Sequence, residues 1–118
     1  MKKILVVDDE FDILTTWRLV LEMEGYEVTT ASNGRVALEA ATMNAPDLVI
    51  TDWMMPHKDG VELIRDLAAS ESLRKVPVIL MSAAANAPEL NHPAARFRRK
   101  PFSIDDLIAL VNHLIGPA

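Results

Sequence analysis

Ile4-Leu5-Val6-Val7-Asp8-Asp9-Glu10 sets four consecutive apolar residues directly before three carboxylates. Four residues make a strand, not a helix, and an unbroken apolar run suits a strand covered on both faces, as in parallel sheets. The same pattern returns at Leu48-Val49-Ile50-Thr51 before Asp52 and at Val78-Ile79-Leu80-Met81 before Ser82. A weaker β-rich run, Glu27–Ala31, follows the turn residue Gly25, and a last short strand closes on Lys100-Pro101.

Between these runs the apolar spacing becomes helical. Ile13, Leu14, Trp17, Leu19, Val20, Leu21 and Met23 mark the first helix, and Val36, Ala37, Leu38, Ala40 and Ala41 mark the second. Val61, Leu63, Ile64 and Leu67 mark a third across Gly60–Ser70. Ser103 opens a final helix through Leu107, Ile108, Leu110, Val111, Leu114 and Ile115, and Ser103 with Asp106 has capping-box spacing. Apolar strands alternating with helices predict a doubly wound α/β fold with helices on both faces of a parallel sheet.

With 118 residues the chain has room for one domain, 1–118, and none for an output domain. It carries 17 acidic and 12 basic side chains, a net charge of −5 that opposes direct binding to nucleic acid. There is no cysteine, which removes disulfides, thiolate metal sites and a thiol nucleophile. The apolar start is too short for a signal peptide, and no run approaches membrane-spanning length. A soluble, cytoplasmic location is the expectation.

In open parallel sheets ligands bind beyond the carboxyl ends of the strands. Those ends carry Asp8, Asp9 and Glu10, then Asp52, Ser82 and Lys100. Each alone has a plain reading: Asp8 or Asp9 could cap the first helix, Ser82 could begin a loop, and Lys100 could be solvated. Together they predict a site, because carboxylates gathered at one sheet edge repel unless a cation compensates. Mg²⁺, which takes one or two carboxylates and keeps waters for phosphate oxygens, suits the cluster, with Asp9 and Asp52 as direct ligands.

Four segments, Ile4–Glu10, Thr51–Gly60 (Thr-Asp-Trp-Met-Met-Pro-His-Lys-Asp-Gly), Met81-Ser82-Ala83 and Lys100-Pro101-Phe102, resemble the motifs of response-regulator receiver domains, in order and from end to end. The resemblance implies a five-stranded flavodoxin-like sheet of order 2-1-3-4-5. It implies that Asp52 is the phosphoacceptor, that Asp8 and Asp9 form the Mg²⁺ pocket, and that Met54 gives the ion a backbone carbonyl. Ser82 and Lys100 would hold the phosphoryl oxygens, and Phe97 would be the aromatic that turns inward when Ser82 moves. The implied donor is a sensor histidine kinase or histidine phosphotransfer protein, and the implied output is an altered contact with an effector protein or homodimerisation. Such a domain catalyses only its own phosphorylation and dephosphorylation. Its end at Ala118 fits a stand-alone or an excised receiver.

The chain departs from the family pattern in three places. Pro88 and Pro93 interrupt a short Ser82-to-Lys100 interval, so the helix expected between the fourth and fifth strands should be short, distorted or missing. Arg96, Arg98 and Arg99 flank Phe97 where an apolar strand is usual, offering either a basic patch for an acidic partner or a solvated edge. Trp53 stands where a smaller aliphatic is commoner and should pack in or beside the core. His57, His92 and His113 are expected on the surface, without a shared metal.

Three other functions compete with this one. A degenerate receiver would bind partners without phosphorylation. A Mg²⁺-dependent phosphohydrolase would need a general acid two residues after Asp52, where Met54 stands. A flavin domain would need a phosphate-cradling loop where Asp8-Asp9-Glu10 repels phosphate.

Overall fold

The computed structural model describes residues 1–118. Strands β1 (Lys3–Val7), β2 (Glu27–Ala31), β3 (Leu48–Asp52), β4 (Val78–Ser82) and β5 (Ala95–Arg99) form one sheet. All four pairings are parallel, in the order β2-β1-β3-β4-β5. Helices α1 (Phe11–Met23), α2 (Gly34–Met43), α3 (Gly60–Ala69) and α4 (Ile104–Ile115) fill the connections.

Strand side chains alternate between two cores, as period-two geometry requires. Ile4, Val6, Ile50 and Met81 face α1 and α4, where they meet Leu14, Leu21, Leu107 and Val111. Leu5, Val7, Val49 and Leu80 face α2 and α3, where they meet Ala37, Leu63, Ile64 and Leu67. This double coverage is why the strands read as continuous apolar runs.

No helix joins β4 to β5. Residues 83–94 cross back as an irregular segment whose Leu90 packs, with Ala95 and Phe97, on the α2/α3 core. The two prolines account for this, since each lacks an amide donor and disfavours helix in the residue before it. His92 corrects the expectation of a surface histidine: it is 7% exposed. Its Nδ1 accepts from the Ala94 N–H at 3.0 Å, and burial pushes its pKa down. A backbone bond to a ring nitrogen leaves no mark in the spacing of residues.

β5 is an edge strand. The Val78 N–H donates to the Ala94 carbonyl and the Lys100 N–H to the Ser82 carbonyl, so even-numbered positions of β5 pair with β4. Phe97 therefore presents its carbonyl on the open edge, where Arg98 Nη1 donates to it at 2.8 Å. A guanidinium on an edge carbonyl blunts strand addition. Ala95 and Phe97 point to the α2/α3 face, which sends Arg96 and Arg98 to the other side and leaves Arg99 alone where a helix is absent.

At the start of α3, Asp59 accepts from the Glu62 N–H and Glu62 accepts from the Asp59 N–H, a full capping box. Ser103 accepts from the Asp106 N–H, and no reciprocal bond from Asp106 forms, so α4 has half of one. Gly60 donates to the Trp53 carbonyl at 2.7 Å. A Cβ there would sit 2.3 Å from the Asp52 carbonyl oxygen and 2.7 Å from Leu80 Cδ1. Because the first obstacle is backbone, Gly60→Ala is expected to cost about 3 kcal/mol in urea unfolding, the upper end for overpacking. An unchanged midpoint would mean that the β3–α3 turn opens at no cost.

Candidate functional site

The sheet register assembles the site. Val7 pairs with Thr51, so Asp8 and Asp52 leave their adjacent strands side by side. Asp52 pairs with Met81, and Ser82 pairs with Arg99, which sets Ser82 and Lys100 at the next strand ends. A carboxylate oxygen from each of Asp8, Asp9 and Asp52 lies within 4.8 Å of the others. Lys100 Nζ donates to Asp52 Oδ1 at 2.9 Å and stands 4.0 Å from Asp8 Oδ2.

The plain alternatives for these residues largely fall away. The N-cap of α1 is Glu10, with no side-chain cap, so neither Asp8 nor Asp9 closes that helix. Asp8 Oδ1 instead accepts from the Glu10 N–H two residues on, at 3.0 Å. Ser82 does begin a loop, its Oγ accepting from the Ala84 N–H at 3.1 Å, while remaining buried at the cleft. Met54 is 62% exposed in the β3–α3 loop, and its carbonyl accepts no hydrogen bond. Trp53 and Phe97 both pack against the α2/α3 core. The three histidines stay apart from the cluster.

The electrostatics are those of an acid site with one cation too few. Burial, ahead of the nearby Asp52 and Asp9 charges, pushes Asp8 up to about 6, against the lowering from the Glu10 N–H and Lys100. Burial alone would lower the Lys100 ammonium. The hydrogen bond and charge of Asp52, with Asp8 and Glu10, outweigh it and raise the pKa.

A pH dependence follows from the Asp8 shift. Folded Asp8 holds its proton to about pH 6, whereas the unfolded carboxyl releases it near 3.8. Between these values the folded state binds more protons, so this group's contribution is fully present below pH 3.8 and is lost as pH rises through 6. In urea unfolding from pH 4 to 7.5, the wild type should lose about 3 kcal/mol relative to Asp8→Asn. Parallel curves would show that Asp8 is not destabilised by its site.

Sequence reading missed a groove of about 650 Å³ beside the cleft, bounded by Ile13 and Trp17 of α1 and by Pro101, Phe102 and Ile104. Ile13 and Trp17 are one helical turn apart, and that i,i+4 pairing was the available signal.

The profile of the response regulator receiver domain family matches residues 4–112. The chain belongs to this family. It is 37% identical over 117 residues to the transcriptional regulatory protein PrrA of Mycobacterium tuberculosis, covering 96% of this chain and 49% of that protein. It is 36% identical over 118 residues to the alkaline phosphatase synthesis transcriptional regulatory protein PhoP of Bacillus subtilis, covering 97% and 48%. The receiver domain thus spans about half the length of the curated relatives it matches. Among solved structures, the signal receiver domain of a signal transduction histidine kinase from Syntrophus aciditrophicus superposes with a TM-score of 0.90 at 32% identity, over 98% of this chain and 91% of that one. The receiver domain of the sensor histidine kinase PA1611 from Pseudomonas aeruginosa PAO1, with a magnesium ion coordinated in its active site cleft, gives 0.88 at 28% identity, over 98% of each. The receiver is a phosphoacceptor module of two-component signalling. No helix is long and apolar enough to cross a membrane.

Proposed function

We propose that Asp52 is the phosphoacceptor of this receiver and that Lys100 is its charge partner. The observation that carries this is the 2.9 Å bond from Lys100 Nζ to Asp52 Oδ1 beside two further carboxylates. A carboxylate attacking phosphorus brings negative charge onto negative charge, and a positioned ammonium stabilises it as it develops. The Asp52 oxygen forms the new P–O bond while the P–N bond of a donor phosphohistidine breaks and its imidazole leaves. Water later cleaves the acyl phosphate, which restores Asp52.

The donor set fits Mg²⁺: three convergent carboxylates, one of them raised chiefly by burial and then by its acidic neighbours, and a free carbonyl at Met54. Asp8, Asp9, Asp52 and Met54 would hold the ion, and it would neutralise phosphoryl oxygens. Asp9 is the exposed member of the set, at the rim. Ser82 would donate its hydroxyl to a phosphoryl oxygen and, in turning toward it, release the Ala84 N–H it now accepts from. That exchange would alter the packing next to Phe97, which therefore serves as the reporter.

The donor is a histidine kinase or phosphotransfer protein in the cytoplasm, and the output is altered protein contact. The chemistry is confined to the chain's own Asp52, which makes it a switch and not an enzyme on a diffusible substrate. Arg96 and Arg99 are exposed on β5 and available to an acidic partner, whereas Arg98 is engaged with its own edge. Intact-mass spectrometry after incubation with Mg²⁺ and acetyl phosphate tests the reading: a single hydroxylamine-labile phosphoryl adduct, absent when Mg²⁺ is chelated, is expected. No adduct in the presence of Mg²⁺ would overturn it.

A further inference from the structure

We propose that Trp17 is a positioning residue that walls the Asp52–Lys100 pair off from the neighbouring groove, holding Lys100 in place and keeping groove water from Asp52. This rests on the reading of Asp52 as phosphoacceptor, and it assigns a function to a residue outside the strand-end motifs.

Two spaces meet at this side chain. On one side is the open groove of about 650 Å³. On the other is a crevice of about 10 Å³ directly beneath Asp8, Asp52 and Lys100. Both are lined by Trp17, Met81 and Lys100. The partition between groove and acid cleft is therefore an indole, a thioether and a lysine stem.

The three are not equally free. Met81 is 3% exposed and belongs to the α1/α4 core. Lys100 is tethered at its tip to Asp52. Trp17 packs against that core while remaining half-buried, with one flank on the groove. The indole is thus the wall element that an occupant of the groove can press upon. A lysine stem takes its direction from the apolar surface it lies on, so the indole fixes where the ammonium arrives.

Size makes the wall tight. A crevice of about 10 Å³ stands at the lower limit for a single water. Replacing an indole by a smaller aliphatic removes much of a side chain that buries on the order of 200 Å². Crevice and groove would then join, bringing solvent to the Lys100 ammonium and the Asp52 carboxylate.

The test uses Trp17→Leu, Trp17→Phe and a control, Leu110→Ala, which truncates a side chain packed on the same core. Proton exchange of the Lys100 ammonium is followed by ¹H–¹⁵N NMR in the unphosphorylated protein, and decay of the acetyl-phosphate adduct by mass. Trp17→Leu should speed both about tenfold, equivalent to about 1.4 kcal/mol off each barrier, because groove solvent then reaches the ammonium and the carboxylate. Trp17→Phe should restore most of the protection, and Leu110→Ala should lower Tm while moving neither rate. Unchanged exchange in Trp17→Leu, or equal acceleration in Leu110→Ala, would overturn the wall. If the wild type forms no adduct but ammonium exchange still responds to Trp17, the wall stands and the phosphoacceptor reading falls.

Discussion

Asp52→Asn is expected to abolish the phosphoryl adduct formed with Mg²⁺ and acetyl phosphate, leaving the intact mass of the variant unchanged at times when the wild type is fully converted. The substitution is nearly isosteric, so the β3 end and its pairing with Met81 should persist. What disappears is the nucleophile, because an amide oxygen cannot form a stable acyl phosphate. The loss should not come from unfolding. Asp52 raises the Asp8 pKa through its charge, and Lys100, released from its 2.9 Å bond, would remain with Asp8 as its nearest carboxylate partner. Both changes favour ionised Asp8, so its pKa should fall from about 6, which a ¹³C-detected titration of the carboxyl group reads directly. An adduct that survives in Asp52→Asn would place the phosphoryl group on Asp8, Asp9 or another side chain and would sink the assignment.

Asp8, Asp52 and Ser82 were legible in the sequence because each follows an apolar run, and in a parallel sheet all such runs end on one edge. Lys100 follows the arginine-rich Ala95–Arg99 and was legible only through the resemblance carried by Lys100-Pro101-Phe102. The missing β4–β5 helix was legible for a local reason, Pro88 and Pro93. What stayed hidden depends on three-dimensional packing. His92 is buried with its Nδ1 accepting from a backbone N–H two residues away, an arrangement that no pattern of apolar residues signals. The face assignment of the arginines needed the β4–β5 register, since a slip of one residue would exchange their sides. Trp17 has ordinary helical spacing in the chain, and only the folded arrangement, which brings its indole to the same spaces as Met81 and Lys100, sets it between groove and cleft.

Lys100 carries the second large effect. Lys100→Met keeps an unbranched chain against Trp17 and Met81 but deletes the charge that meets Asp52. Adduct formation with acetyl phosphate should slow by about 10²–10³-fold, the range for removing one preorganised group that stabilises developing charge. Mg²⁺ affinity, measured by titration of tryptophan fluorescence, should hold or rise, because the ammonium now competes with any cation for Asp52 Oδ1. That opposite movement separates loss of transition-state stabilisation from loss of the metal. Lys100→Arg should recover only part of the rate. Its planar guanidinium spreads the charge over a larger head and cannot reproduce a point charge at the same place. If Lys100→Met formed the adduct at the wild-type rate, the 2.9 Å bond would be a ground-state ion pair that merely offsets carboxylate repulsion. Its deletion should then appear in stability alone, as a drop in urea midpoint relative to the wild type that is larger at pH 7.5 than at pH 5, where protonated Asp8 leaves less charge to compensate.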